Sequence, residues 1–326
     1  MKKTLLAIII LFNCLTTLIA QPSFTVSDKE DARKIKETVL AVVIKQTDEK
    51  TIKRLSKKPE DLKSYETSIT SLNKFIKDAV SKEWHFSNEV RYITEEEAQK
   101  IKDEKNGDYS LLEVTEIKNY KVGDFYSPNA NYGFNSARDL AYHMSSSGKS
   151  TALVITNGKN PNKEIVYSYL PAVGVSPGTV TFMILHLENQ LNDCLTRDIN
   201  SLSDLKKDIE KRKDALKTKT VIIFDPLISK GLQKTIDKKE LEKHYKYKYS
   251  VVPFEKADEL IASKNKDYAY IWAVPAGASN GGRELFNYYF IDGEDARILF
   301  MTGTAVVGAN GDFHQAHFAM ANKSLK

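Results

Sequence analysis

Two stretches of this chain are copies of one another, and the duplication limits the fold more than any other feature. The run ending at Tyr109 and the run ending at Tyr268 align without a gap at an offset of 159 residues. Glu96 matches Glu255, Ala98 matches Ala257, Lys105 matches Lys264, Asn106 matches Asn265 and Asp108 matches Asp267. A repeat longer than a motif implies one folded unit used twice.

Around the matching runs the apolar pattern has the same order in both copies. Thr38–Ile44 (TVLAVVI) has the length and β-branched content of a buried strand, and Thr220–Phe224 answers it. Apolar residues recur at three and four through Lys50–Trp84, where Pro59 divides one helix into two; in the second copy Lys238–His244 is the shortened equivalent. Strand, helix and strand follow at Val90–Ile93, Glu95–Lys105 and Tyr109–Ile117, then at Tyr249–Pro253, Glu255–Lys264 and Tyr268–Val274. Thr94, with Glu97 three residues on, is a capping box for the first of those helices. Two strands joined through Asn157-Gly158 (Ala152–Thr156 and Glu164–Leu170) and through Asp292-Gly293 (Tyr288–Ile291 and Arg297–Met301) come next. The first of these turns reads as longer than the two-residue type. Helices at Thr179–Cys194 and Asp312–Leu325 close the copies. The expected class is therefore α/β (α+β), two tandem related units, each a mixed sheet with helices packed on one face.

The ends of the chain add an address. Lys2 and Lys3, an apolar Leu5–Phe12 and a polar approach to Ala20 form an export signal, residues 1–20, too short to span a bilayer. Asn13 before Cys14 is the wrong residue for a lipid-anchor motif, so cleavage is expected after Ala20. A lead-in (21–36), a first repeat (37–194) with an aromatic insertion at 119–150, a connecting helix (195–217) and a second repeat (218–326) complete the expected division. The mature chain carries 46 basic and 43 acidic side chains once Lys2 and Lys3 are removed. So small an excess argues against a nucleic-acid partner. Cys194 alone remains after cleavage, which excludes an internal disulfide. No later segment is apolar enough to cross a membrane, so the expected product is exported, periplasmic or secreted.

Several groups of residues carry possible chemistry. Gly148-Lys149-Ser150 resembles the tail of a phosphate loop, but His143 stands where the preceding glycine is needed. Asp312, His314 and His317 form the best metal-ligand grouping, since histidines three apart on a helix share a face. Two imidazoles and one acid fall short of a full site, and a helix with polar caps is the competing reading. Cys194, beside Asp193 near a helix C-terminus, reads as a buried apolar residue rather than a nucleophile. His244–Tyr249 (HYKYKY) interleaves rings and lysines as single-strand binders do. Strand alternation instead puts the tyrosines on one face and the lysines on the other, as on a protected edge strand. The Leu202, Leu205, Ile209 and Leu216 stripe suits a helix packed across the two domains, or self-association through 202–216.

The segments between the third and fourth strands of each copy attract more interest. In the first copy this segment carries Phe125, Tyr126, Tyr132, Phe134 and Tyr142, too aromatic for disorder and too long for a plain connection. In the second copy it is glycine-rich and ends at Arg283, suited to a carboxylate or phosphate. A packing flap and a flexible turn are the plainer alternatives.

Val251-Val252-Pro253-Phe254, an acidic helix and Lys266-Asp267-Tyr268-Ala269-Tyr270 together resemble the amino-terminal domain of TolB and the curli-secretion (CsgG-like) family. That resemblance implies a mixed-sheet module used for assembly and partner contact, and carries over no individual site residue. The sequence thus favours an exported, non-catalytic binding or assembly protein that contacts an envelope protein or surface polymer, with no cofactor. The alternative is a metal-dependent or acid-base hydrolase near the C-terminal helix.

Overall fold

A computed structural model describes residues 28–118, 149–170, 175–278, 284–302 and 313–326. Strands β1 (Val39–Ile44), β2 (Glu89–Thr94), β3 (Tyr109–Lys118), β4 (Lys149–Asn157) and β5 (Asn160–Tyr169) form one sheet in the order β2-β1-β3-β4-β5. Strands β6 (Thr220–Phe224), β7 (Tyr249–Val252), β8 (Tyr268–Ala278), β9 (Glu284–Asp292) and β10 (Ile298–Met301) form a second, in the order β7-β6-β8-β9-β10. In each sheet the first strand runs parallel to both its neighbours, and antiparallel hairpins complete the far side. Nine helices accompany them among the described residues: α1 (Lys29–Glu37), α2 (Glu49–Leu55), α3 (Pro59–Glu83), α4 (Glu95–Asp103), α5 (Pro177–Thr196), α6 (Leu202–Arg212), α7 (Lys230–Asp237), α8 (Phe254–Ala262) and α9 (Gln315–Ser324). The protein is a mixed α/β fold of two similar units.

The sequence identities between the copies have a structural cause. Helices α4 and α8 are each followed, two residues on, by a lysine in the left-handed region, Lys105 and Lys264, both at φ 50°. The next residue, Asn106 or Asn265, accepts the N–H of Asp108 or Asp267 on its side-chain oxygen. The carbonyls of those aspartates then accept the first N–H of β1 and of the strand β6. A glycine from the hairpin completes each corner: Gly158 donates to Tyr109 O at 2.8 Å and Gly293 to Tyr268 O at 2.9 Å. A Cβ at Gly158 would lie 2.1 Å from Asn106 O, and one at Gly293 2.6 Å from Asn265 O. Only glycine fits either place.

Local signals set several boundaries. Thr94 and Glu97 form the expected capping box, and Pro59 opens α3 at the N-terminal position where its missing N–H costs nothing. Other expectations change. The hairpin through Gly158 is a two-residue turn, Gly158-Lys159, because Asn157 pairs with Asn160 and β5 absorbs the extra residue through register shifts. The first helix of the second copy lies at Lys230–Asp237, capped by Ser229, while Leu241–Lys243 is a single 3-10 turn rather than the helix expected at Lys238–His244. The lead-in holds a helix, α1, whose Ala32 and Ile35 are fully buried.

Helices cover both faces of the first sheet, not one. Ala98 of α4 packs on Ala41, Val43 and Leu111, while Leu72 and Ile76 of α3 join Leu40 and Val42 in the main core on the opposite face. The main core runs without a break into the second unit. Its bridge is α5, which packs on α1, α3 and β5 and also on α8. Phe182 of α5, with no exposed surface, meets Trp272 at 4.0 Å and Tyr270 at 5.8 Å on the second sheet. Burying such a ring contributes roughly 2–3 kcal/mol. The part expected of the Leu202–Leu216 helix, packing across both units, therefore belongs to α5. Helix α6 sits on β10 with Ile209 turned into the core, and the expected continuous helix ends at Arg212; Leu216 is buried from the 3-10 turn Lys213–Lys217 that follows.

Candidate functional site

The parallel strands of each sheet are short, and the hairpins outrun them. Only Tyr109–Leu112 of β3 pairs with β1, and only Tyr268–Tyr270 of β8 pairs with β6. Past those points β3 continues to Lys118 against β4, and β8 continues to Ala278 against β9. At about 3.3 Å per residue these arms extend roughly 20 Å and 26 Å beyond the parallel pairing. Pro275 is accommodated on β8 because it lies past β6, where its absent N–H is owed to no ladder on that side. The segments 119–148 and 279–283 join the arms, so they are topologically equivalent in the two units. Phe125, Tyr126, Tyr132, Phe134, Tyr142 and Arg283 lie outside the described residues, as does Asp312.

The two histidines near α9 are described. His317 is fully buried, its ring 4.1 Å from that of Tyr288 and 4.7 Å from that of Phe313. Its Nδ1 accepts the His314 N–H at 2.9 Å, and burial drives its pKa down to about 3. The ring is thus neutral with its proton on Nε2. A metal bound at Nε2 would move that proton to Nδ1, where it would confront the His314 N–H donor. This geometry argues against His317 as a ligand, and no metal-holding group of three or more His, Cys, Asp or Glu occurs among the described residues. Cys194 is buried as expected, and burial pushes its thiol pKa up.

A polar network that the sequence did not reveal ties α5 to the second unit. Arg297, just before β10, donates to both oxygens of Asp193 at 2.8 and 3.0 Å and to Asp295 at 2.8 Å. Arg197 bonds Asp193 and Asp208, and Asp208 also accepts from Arg212. His186, fully buried on α5, holds Ala296 O through Nδ1 at 3.3 Å, and burial drives its pKa down to about 4. At the other end of α5, Asp258 of α8 accepts the Gly178 N–H at 2.7 Å and the Ser176 hydroxyl at 2.5 Å. Burial outweighs those bonds and raises the Asp258 carboxyl above its usual range. Lys264, the left-handed residue of the second copy, reaches buried Glu83 of α3 at 2.8 Å. These partners lie about 80–180 residues apart in sequence, a separation that no short-range pattern records. They hold the two units together and leave their own charged groups occupied.

The HYKYKY segment alternates as its pattern predicts. Tyr245 is fully buried, Tyr247 and Tyr249 are half-buried, and Lys246 and Lys248 are exposed. Only Tyr249 onward is strand, β7, at the outer edge of the sheet. No helix among the described residues is long and apolar enough to cross a membrane. No family model, curated protein or solved structure matches this chain.

Proposed function

We propose that the chain is an exported, non-catalytic binding or assembly protein that contacts an envelope protein or surface polymer through segments 119–148 and 279–283. The observation that carries this reading is the repeated hairpin arm. In both units β3 or β8 outruns the parallel core and ends in a segment whose composition differs from its counterpart, six aromatic rings in 119–148 against Gly281, Gly282 and Arg283 in 279–283. A duplicated scaffold with two unlike tips gives a partner two different contacts held by one rigid core. The ion pairs around α5 supply that rigidity. Export rests on the Lys2–Ala20 signal pattern, and the assembly role accords with the resemblance to TolB-like and CsgG-like modules.

Deleting residues 125–142 tests the reading. The deletion is expected to abolish co-sedimentation of the mature protein with an isolated envelope fraction while leaving a single cooperative melt. Undiminished co-sedimentation would exclude the first segment as the contact. Loss of the cooperative melt would make the segment part of the fold instead.

A further inference from the structure

The second sheet carries a surface that the first lacks. Tyr245 is anchored in the core, its hydroxyl 3.4 Å from Leu216 O, and this fixes the phase of the residues that follow. Lys246 and Lys248 point to solvent and form no ion pair among the described residues, while Tyr247 and Tyr249 stay half-buried between them. With Lys217 and Glu242 they line an open groove of about 810 Å³ at the start of β7. Lys217 leans on Asp214 at 2.9 Å. Segments 211–219 and 238–248 together hold ten basic and three acidic side chains, and the rest of the mature chain holds 36 basic and 40 acidic. Of those ten basic side chains, Lys217, Lys246 and Lys248 line the groove.

Duplication provides an internal control. If lysines beside the edge strand were needed only to protect the edge of this fold, the positions equivalent to Lys246 and Lys248 at the offset of 159 would carry them too, but these are Ser87 and Glu89. Glu89 pairs with Arg91 at 2.5 Å. The basic edge is therefore a property of the second unit, not a requirement of the architecture.

We propose that this groove binds an acidic polysaccharide. Half-buried tyrosyl faces pack against the C–H faces of sugar rings, and unpaired ammonium groups at alternate positions meet carboxylate or sulfate substituents along an extended chain. A lipid surface fits less well, because Val251 is the one large exposed apolar side chain of β7. A nucleic acid fits less well because three lysines line the groove in a chain of near-balanced charge. The site does not depend on segments 119–148 and 279–283. Tyr249 opens β7, which runs parallel to β6 and so to β8, and 279–283 follows the far end of β8. The groove, at the start of β7, and Ala278, at the end of β8, lie at opposite ends of the sheet.

The test uses the mature protein with fluorescent polygalacturonate, neutral dextran and a single-stranded oligothymidylate, each at about 0.05 M and about 0.5 M salt. Polygalacturonate is expected to bind at low salt and dextran is not. Lys246→Glu with Lys248→Glu is expected to weaken polygalacturonate binding about tenfold or more, as loss of two unpaired cations beside a polyanion requires. Tyr247→Ala should weaken it without changing its salt dependence, and deleting 125–142 should leave it intact. Should the glutamates lower the melting temperature, Lys246→Ala with Lys248→Ala repeats the measurement without adding charge. Three results would overturn the proposal: no binding of polygalacturonate, equal binding by the lysine variants, or tighter binding of the oligothymidylate.

Discussion

Two fully buried imidazoles make this protein acid-labile by an amount that follows from their surroundings. His186 lies between α5 and the second sheet, stacked 5.3 Å from Phe182, and burial lowers its pKa to about 4, with Arg212 and Arg297 also lowering it against its bond to Ala296 O and the pull of Asp193. His317 lies in the ring cluster under α9, and burial, aided by His314, lowers its pKa to about 3. Both folded values fall below about 6.5, the value of an unperturbed histidine. The unfolded chain therefore binds more protons across the interval, so stability is intact above pH ~6.5 and is lost as pH falls toward 4 and then 3. At about 1.36 kcal/mol per pH unit each histidine costs about 2 kcal/mol by pH 5, and the two together about 4 kcal/mol. Such a loss is a large part of a stability that ordinarily totals ~5–15 kcal/mol. Urea unfolding of the mature protein at pH 7 and pH 5 measures it. His317→Asn, whose side-chain oxygen can accept the His314 N–H, should remove about half of the difference. A wild-type loss below about 1 kcal/mol would refute the burial of neutral imidazoles at both places.

Other consequences are stability effects that one melt each can check. Gly158→Ala and Gly293→Ala should each cost about 1–3 kcal/mol or more, since the new methyl meets a backbone oxygen in both copies; a neutral result at either would break the equivalence of the two corners. Phe182→Ala should cost about 3–5 kcal/mol because it empties the contact between α5 and Trp272, and a cost below about 1 kcal/mol would remove α5 from the shared core. Lys105→Gly should stabilise by about 0.5–1 kcal/mol by relieving the left-handed backbone, and destabilisation would show that Lys105 makes an unrecognised contact. Metal analysis of protein purified without chelator should find sub-stoichiometric zinc and manganese, unchanged in His314→Ala; stoichiometric metal lost in that variant would restore the hydrolase reading.

How legible the fold was depended on the range of the interactions that shape it. Pro59, the Thr94–Glu97 box and the Asn-x-Asp-Tyr corners act within a few residues, and the pattern located them. The succession of strands and helices along each copy followed from the repeated apolar pattern, and the tyrosine and lysine alternation in HYKYKY gave the correct faces although regular strand begins only at Tyr249. Long-range partners were not legible. Nothing near Asp193 announces Arg297, and nothing near Gly178 announces Asp258, because each partner comes from the other unit. Sequence alone places helix α5 with the first repeat for the same reason: its apolar residues are dense enough for two faces, and only tertiary packing shows that the second sheet takes one of them. His314 and His317 were legible as a close pair, although His314 is the extended N-cap of α9 and not part of the helix face. Their chemistry was not, because it turns on one backbone N–H that fixes the tautomer of His317.

The central claim is that partner contact is made by the tips of the two hairpin arms. A photo-activatable cross-linker placed singly at Tyr126 and at Arg283, with exposed Lys63 on α3 as control, tests it in living cells. The account predicts that the two tip positions cross-link to the same envelope component and that Lys63 does not. Cross-links that arise equally from all three positions, or from Lys63 alone, would contradict it.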